Sequence, residues 1–163
     1  EHMLAHSDMK SAWRNYSEEE ELFISFINND TGLGGMRFNG PITLFDEVSS
    51  KRVIDLRGAI FVQPLCFLSG SIIAGRLLMD RTEFRSGFNA TGVTLHGGLS
   101  AVGTRFNRGT SFKRASLMGG CDFSNANFES LDRSFEDAEI YGTPTGLSWI
   151  QLAPAIVRRR RSC

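Results

Sequence analysis

Residues 82–125 read TEFRSGFNATG, VTLHGGLSAVG, TRFNRGTSFKR and ASLMGGCDFSN, four lines of eleven residues that align without a gap. Gly87, Gly98, Gly109 and Gly120 fall in one column, and the residues three before them, Phe84, Leu95, Phe106 and Leu117, are all large and apolar. Two further columns keep the same period: Thr82, Val93, Thr104, Ala115 and Ala126, then Ala90, Ala101, Phe112 and Phe123. Self-similarity at a fixed spacing marks a repeat architecture, in which each unit buries its apolar face only by stacking on its neighbours.

An eleven-residue apolar period also suits a helical supercoil. Composition argues against that here, because a glycine in every unit would cost roughly 1 kcal/mol in a helix interior. Cutting each unit at its glycine leaves two five-residue blocks and one linking residue. The clearest pair is Cys121-Asp122-Phe123-Ser124-Asn125 followed by Ala126-Asn127-Phe128-Glu129-Ser130. Each block runs small, polar, large apolar, polar, polar. Side chains alternate along an extended strand, so a short flat face directs its first and third residues inward and its second and fourth outward. The fifth residue turns the corner, where Gly, Asn and Ser are found.

Blocks of this kind resemble the pentapeptide-repeat family, whose consensus is a small residue, Asp or Asn, Leu or Phe, and two polar residues. Ile54-Asp55-Leu56-Arg57-Gly58, Ala59-Ile60-Phe61-Val62-Gln63, Ala115-Ser116-Leu117-Met118-Gly119 and Ala138-Glu139-Ile140-Tyr141-Gly142 follow it as well. The resemblance covers residues 36–142 and implies an all-β solenoid, a right-handed quadrilateral parallel β-helix with the large residue of each block stacked at the centre. This sequence departs from the consensus in the extra residue after every second block and in the central alanines Ala90 and Ala101. Extra residues at Pro64, Gly70, Arg81 and the repeat glycines are expected to bulge the corners. Central large residues at five- or six-residue steps give a coil of about 21 to 22 residues, with coils stacked at about 4.8 Å.

The flanks are expected to close the two open ends of the solenoid. Residues 1–35 divide into a tail and a helix: Ser17 and Glu20 form a capping box before residues 18–28, in which Leu22, Phe23, Phe26 and Ile27 make an apolar face. Residues 143–163 hold an apolar segment from Trp149 to Val157, read as a C-terminal cap, and then a basic tail from Arg158 to Arg161. Trp13 and Trp149 flank the repeats and are candidates either for these caps or for partner anchors.

The chain has 163 residues, enough for one domain with a core, and 18 basic against 18 acidic residues, so no net field draws it to nucleic acid. The charges are unevenly placed: seven basic and two acidic residues between Arg76 and Arg114, six acidic and one basic between Asp122 and Glu139. The expectation is one positive and one negative end, with Arg85, Arg105, Arg108 and Arg114 as candidate partner contacts. Three cysteines, Cys66, Cys121 and Cys163, make no disulfide framework, and the odd count suits a reducing compartment such as the cytoplasm. Glu1-His2-Met3 reads as a cloning remnant followed by no signal segment. The most apolar stretch, residues 59–75, is broken by Gln63, Pro64 and Ser69 and is too short for a membrane span.

Catalytic chemistry finds little to work with. His96 takes an outward block position, Glu136 and Asp137 share a turn, and no histidine and cysteine pair has metal-ligand spacing. Gly32, Gly34 and Gly35 lack the strand, helix and acidic residue of a dinucleotide loop. We expect no catalytic residue, no cofactor and no metal. The resemblance implies a non-catalytic scaffold that contacts a protein partner. Its alternatives are the substrate-recognition part of a larger bacterial secreted effector, such as a ligase delivered to a host cell, and a DNA mimic that occupies a topoisomerase. The mimic calls for an acidic rod, against which the basic stretch speaks. Exposed strand edges at either end are also where two copies would meet end to end.

Overall fold

The computed structural model describes residues 16–44, 53–107, 109–129 and 134–158, with Trp149 described by its main chain only. Within them the blocks alternate as extended strands require: Thr82 and Phe84 are buried while Glu83 is half-buried and Arg85 exposed, and Thr104, Arg105 and Phe106 repeat the pattern.

One helix precedes the strands, α1 (Glu18–Asn28). The first winding holds β1 (Arg37–Phe38), β2 (Ile42–Leu44) and β3 (Val53–Asp55). The second holds β4 (Ile60–Phe61), β5 (Leu65–Phe67), β6 (Ile72–Ile73) and β7 (Arg76–Leu78), and the third holds β8 (Glu83–Phe84), β9 (Phe88–Asn89), β10 (Thr94–Leu95) and β11 (Leu99–Ser100). Then come β12 (Arg105–Phe106), β13 (Ser116–Leu117) and β14 (Cys121–Asp122), followed by β15 (Asn127–Phe128) and β16 (Glu139–Tyr141). A short helix, α2 (Trp149–Leu152), and β17 (Ile156–Arg158) finish the described chain. Every pairing is parallel, and the strands sort into four sheets, the sides of a parallel β-solenoid. In winding order the first face is β1-β4-β8-β12-β15, the second β2-β5-β9, the third β6-β10-β13-β16-β17 and the fourth β3-β7-β11-β14.

The core is a set of inward columns. On the first face Phe38, Phe61, Phe84, Phe106 and Phe128 stand in register, with successive ring centroids 5.3, 5.4, 5.6 and 4.7 Å apart and planes within 16° of parallel. Phe88, Phe112, Phe123 and Phe135 meet this stack from other faces, Phe106 and Phe112 edge to face at 6.0 Å. Such ring pairs add about 0.5 to 1.5 kcal/mol beyond the apolar area they bury. Beside the stack, the small position is Ala59, Thr82, Thr104 or Ala126. Thr82 Oγ1 donates to the Leu56 carbonyl at 2.7 Å and Thr104 Oγ1 to the Met79 carbonyl at 2.6 Å, so these buried hydroxyls carry no unmet donor. Ala90 and Ala101 are no defect: Phe88 and Leu99, two residues earlier, are buried too, so these blocks place the large residue first and the small one third.

Strand partners lie 23 residues apart from Ile60 to Glu83 and 22 apart from Glu83 to Arg105 and from Arg105 to Asn127. The 22-residue steps match the 21 to 22 expected and only the 23-residue step exceeds it, because Pro64, Gly70 and Arg81 all fall within that winding, whereas the next contains only Gly87 and Gly98. Gly70, Arg81, Gly87 and Gly98 have φ of 87°, 56°, 123° and 95°, the left-handed region in which an added residue turns a corner without disturbing the adjoining strand. At the corner between the third and fourth faces a Cβ on Gly119 would stand 2.6 Å from the His96 carbonyl oxygen, so close backbone stacking there excludes a side chain.

The N-terminal end is closed by α1. Ser17 Oγ accepts from the Glu20 N–H and Glu20 Oε1 from the Ser17 N–H, the capping box expected from the sequence. Phe23 and Ile27 are buried, with Phe23 5.5 Å from Phe38, but Leu22 is 45% exposed and does not belong to the packed face. The carboxylates of the same helix reach the first winding: Glu19 Oε2 accepts from Gly40 N–H at 2.7 Å and Glu20 Oε2 from Thr43 N–H at 2.9 Å. They supply to the sheet edge the acceptors that a preceding strand would otherwise provide. At the other end Ser148 and Gln151 cap α2, and β17 extends the third face beyond the last five-residue block.

Phe106→Ala is expected to destabilise the fold by about 3 to 5 kcal/mol in denaturant unfolding, and Arg105→Ala by no more than about 0.5 kcal/mol, because only the first opens a cavity in the stack. Glu20→Ala removes both a capping partner and an edge acceptor and should cost about 1 to 2 kcal/mol, against about 0.5 for the exposed Glu18→Ala. Burial, with Asp122 adding to it, pushes the Cys121 thiol up to about 12. At pH 8 it is held as the unreactive thiol. In a Cys66→Ser/Cys163→Ser double variant an aromatic disulfide reagent should therefore label Cys121 only after denaturant is added; prompt labelling of the folded protein would contradict its inward placement.

Candidate functional site

Outward side chains form columns as regular as the inward ones, and the four faces differ in what they present. On the third face the pairing sets Ile72, Thr94, Ser116, Glu139 and Ile156 in one outward column. Two residues further along each block a second column holds Ala74, His96, Met118, Tyr141 and Arg158, joined by the continuing ladder of His96 N–H to Ile73 and Met118 N–H to Leu95. Ile72 is 56% exposed, and from β6 through β13 these two columns carry no Asp, Glu, Lys or Arg. Charge returns only at the last windings. There Glu139 accepts from the Tyr141 hydroxyl at 2.9 Å and lies 3.6 Å from Arg158, and this hydrogen bond raises the Tyr141 hydroxyl above its ordinary range.

The first face is its opposite in character. Its outward columns are Arg37, Ile60, Glu83, Arg105 and Asn127, then Val62, Arg85, Asn107 and Glu129. Arg85 Nε lies 3.2 Å from Glu83 Oε1, and Arg105 sits directly across the ladder from Glu83. Two of the sequence candidates, Arg85 and Arg105, therefore flank one carboxylate on one face. Arg114 does not join them: it occupies the corner between the second and third faces with φ 55°. Trp13 and Arg108 lie outside the described residues, as does the side chain of Trp149.

The expected positive end is replaced by a band. Residues 76–114 wind around the middle of the rod, with Arg76 on the fourth face, Arg81 at the corner before the first, Arg85 and Arg105 on the first, and Lys113 beside Arg114. The four glutamates of the first turn of α1 stand at one end and the acidic residues after Asp122 at the other. His96 is outward and exposed, as its block position requires. Among the described residues no three or more of His, Cys, Asp and Glu gather as a metal site would need, and no helix is long and apolar enough to cross a membrane.

The third face is the feature that sequence reading missed. Its signal was present as a run of uncharged second and fourth block positions, but which blocks share a face depends on the length of the winding. A shallow concavity of about 390 Å³ over Gly97, Gly98, Gly119 and Gly120 lies at its border with the fourth face.

Comparison with known proteins gives one match: residues 90–139 fit the family model described as pentapeptide repeats (9 copies). Neither the curated proteins nor the solved structures contain a match to the chain. Five-residue faces with paired inward side chains, four to a winding, together with that match mark residues 90–139 of this solenoid as pentapeptide repeats.

Proposed function

We propose that the chain is a non-catalytic scaffold that docks a protein partner on its third face. The observation that carries this reading is the pair of outward columns from Ile72 to Met118, in register and free of charged side chains over three windings. The fully buried centre of a protein interface is depleted of charge, and Met and aromatic side chains are favoured there. A β-sheet face held by main-chain ladders on both sides loses little conformational entropy when it is covered, which favours binding by a preformed surface. Glu139, Tyr141 and Arg158 at the end of the same face provide the polar rim that gives register. The DNA-mimic alternative draws no support from the first face, whose outward columns present Arg37, Arg85 and Arg105 where phosphate imitation asks for carboxylates.

The test compares two pairs of outward variants. Ile72→Lys/Met118→Lys places charge at the centre of the third face, and Arg85→Ala/Arg105→Ala removes it from the first. Both should keep the wild-type melting curve within a few degrees, because outward positions carry little folding energy. The third-face pair should weaken capture of the partner by at least about tenfold, a change of about 1.4 kcal/mol, while the first-face pair leaves it intact. The reverse pattern would move the docking site to the first face, and topoisomerase inhibition by the wild-type chain in a supercoiling assay would revive the mimic.

A further inference from the structure

Along the third face each uncharged winding carries one larger and one smaller outward side chain. Ile72 stands with Ala74, His96 with Thr94 and Met118 with Ser116, and all six are exposed or half-buried. The next winding sets Glu139 beside Tyr141. The two margins of the face differ as well. Before it lies the corner of Arg114, whose side chain is exposed beside that of Lys113, and among the described residues neither cation is held in an ion pair. After it lie the glycines Gly97, Gly98, Gly119 and Gly120, whose missing side chains leave the concavity of about 390 Å³ that Asp122 borders. Asp122 Oδ1 accepts from the Ser124 N–H and hydroxyl at 2.9 and 2.6 Å, and no cation pairs with this carboxylate among the described residues.

Resting on the reading of the third face as a docking surface, we infer that its partner is a second copy of this chain. The two rods lie side by side with the same sense, related by a two-fold axis parallel to their length. Such an axis exchanges the two outward columns, so at every height the first column of one copy meets the second column of the other. Ile72 then meets Ala74, His96 meets Thr94 and Met118 meets Ser116, larger against smaller in each winding, and Glu139 meets Tyr141. The margins are exchanged in the same way. Arg114 and Lys113 of one copy come to the glycine concavity of the other, where Asp122 supplies the opposite charge. Rods of opposite sense, centred on the same winding, would instead set His96 on His96 and Thr94 on Thr94. With windings about 4.8 Å apart the strip is short, so the dimer is expected to be weak, with a Kd on the order of 100 μM.

Sedimentation equilibrium of the whole chain should show monomer passing to dimer between about 10 μM and about 1 mM. Ile72→Lys/Met118→Lys should weaken the dimer by at least about tenfold while keeping the wild-type melting curve, and Arg85→Ala/Arg105→Ala on the first face should leave it unchanged. The sense of the rods is read by cross-linking. In a Cys66→Ser/Cys163→Ser background, Tyr141→Cys should be joined to its counterpart by a short bismaleimide, because the same-sense arrangement puts the two at one height. In rods of opposite sense about four windings, or about 20 Å, would separate them along the axis. A chain that stays monomeric at about 1 mM would overturn the proposal, yet the docking surface would stand if the third-face pair still abolished capture of a different protein. A dimer indifferent to Ile72→Lys/Met118→Lys would overturn it by placing the contact elsewhere on the rod. A dimer that the third-face pair dissolves but that Tyr141→Cys fails to cross-link would overturn it in favour of rods of opposite sense.

Discussion

The register of the phenylalanine stack on the first face is the constraint on which the rest of the structure depends. Phe38, Phe61, Phe84, Phe106 and Phe128 superpose only if successive windings close after the same number of corners, because each ring lies against the ring one winding above. A slip of one residue would turn every inward side chain of a face to solvent, since side-chain direction alternates with period two. Main-chain hydrogen bonds between windings enforce the same register, as in Arg85 N–H to Phe61 and Asn107 N–H to Phe84. The rings provide the burial and the ladders provide the alignment, and neither has anywhere else to go.

That alignment leaves the corners to absorb variation in length. A winding of 23 residues stacks on one of 22 because Gly70, Arg81, Gly87 and Gly98 take up the extra residues in left-handed conformations outside the strands. Inward columns tolerate variation of another kind, the exchange of the large and small members of a pair. Thr82 with Phe84 and Phe88 with Ala90 fill the same two-residue slot in opposite orders, and all four are buried. Core volume per face is therefore kept while the order of residues along the strand changes.

Function, on this view, belongs to what the stack displays. The proposed docking surface is the sheet face without charge between Ile72 and Met118, whereas the face on the opposite side of the rod presents charge, with Glu83 paired to Arg85 and Arg105 across the ladder from it. The N-terminal end is sealed by carboxylates of α1, while at the C-terminal end Val157 continues an inward column with no further strand beyond it among the described residues. The asymmetry of the ends follows from chemistry: Glu19 and Glu20 can imitate the carbonyls of a missing strand, and Ile156, Val157 and Arg158 cannot.

Sequence alone determined the repeat, the block boundaries, the inward and outward register and the helix behind Ser17, because each of these is a local rule written in side-chain size, polarity and capping chemistry. It reached Cys121 as a core residue and His96 as an outward one by the same route. What it could not supply was the assembly of blocks into faces. The eleven-residue period is half a winding, so neighbouring repeats lie on opposite sides: Thr94 and Ser116 share the third face, while Arg105 between them faces the other way. A charge cluster that looks continuous along the chain, such as Arg105 and Arg114, is divided between a face and a distant corner, and a face without charge is dispersed through the sequence at intervals of 22. Only the tertiary structure decides which residues are neighbours in this way, because the length of a winding is set by the packing of rings and ladders across coils and not by any single block.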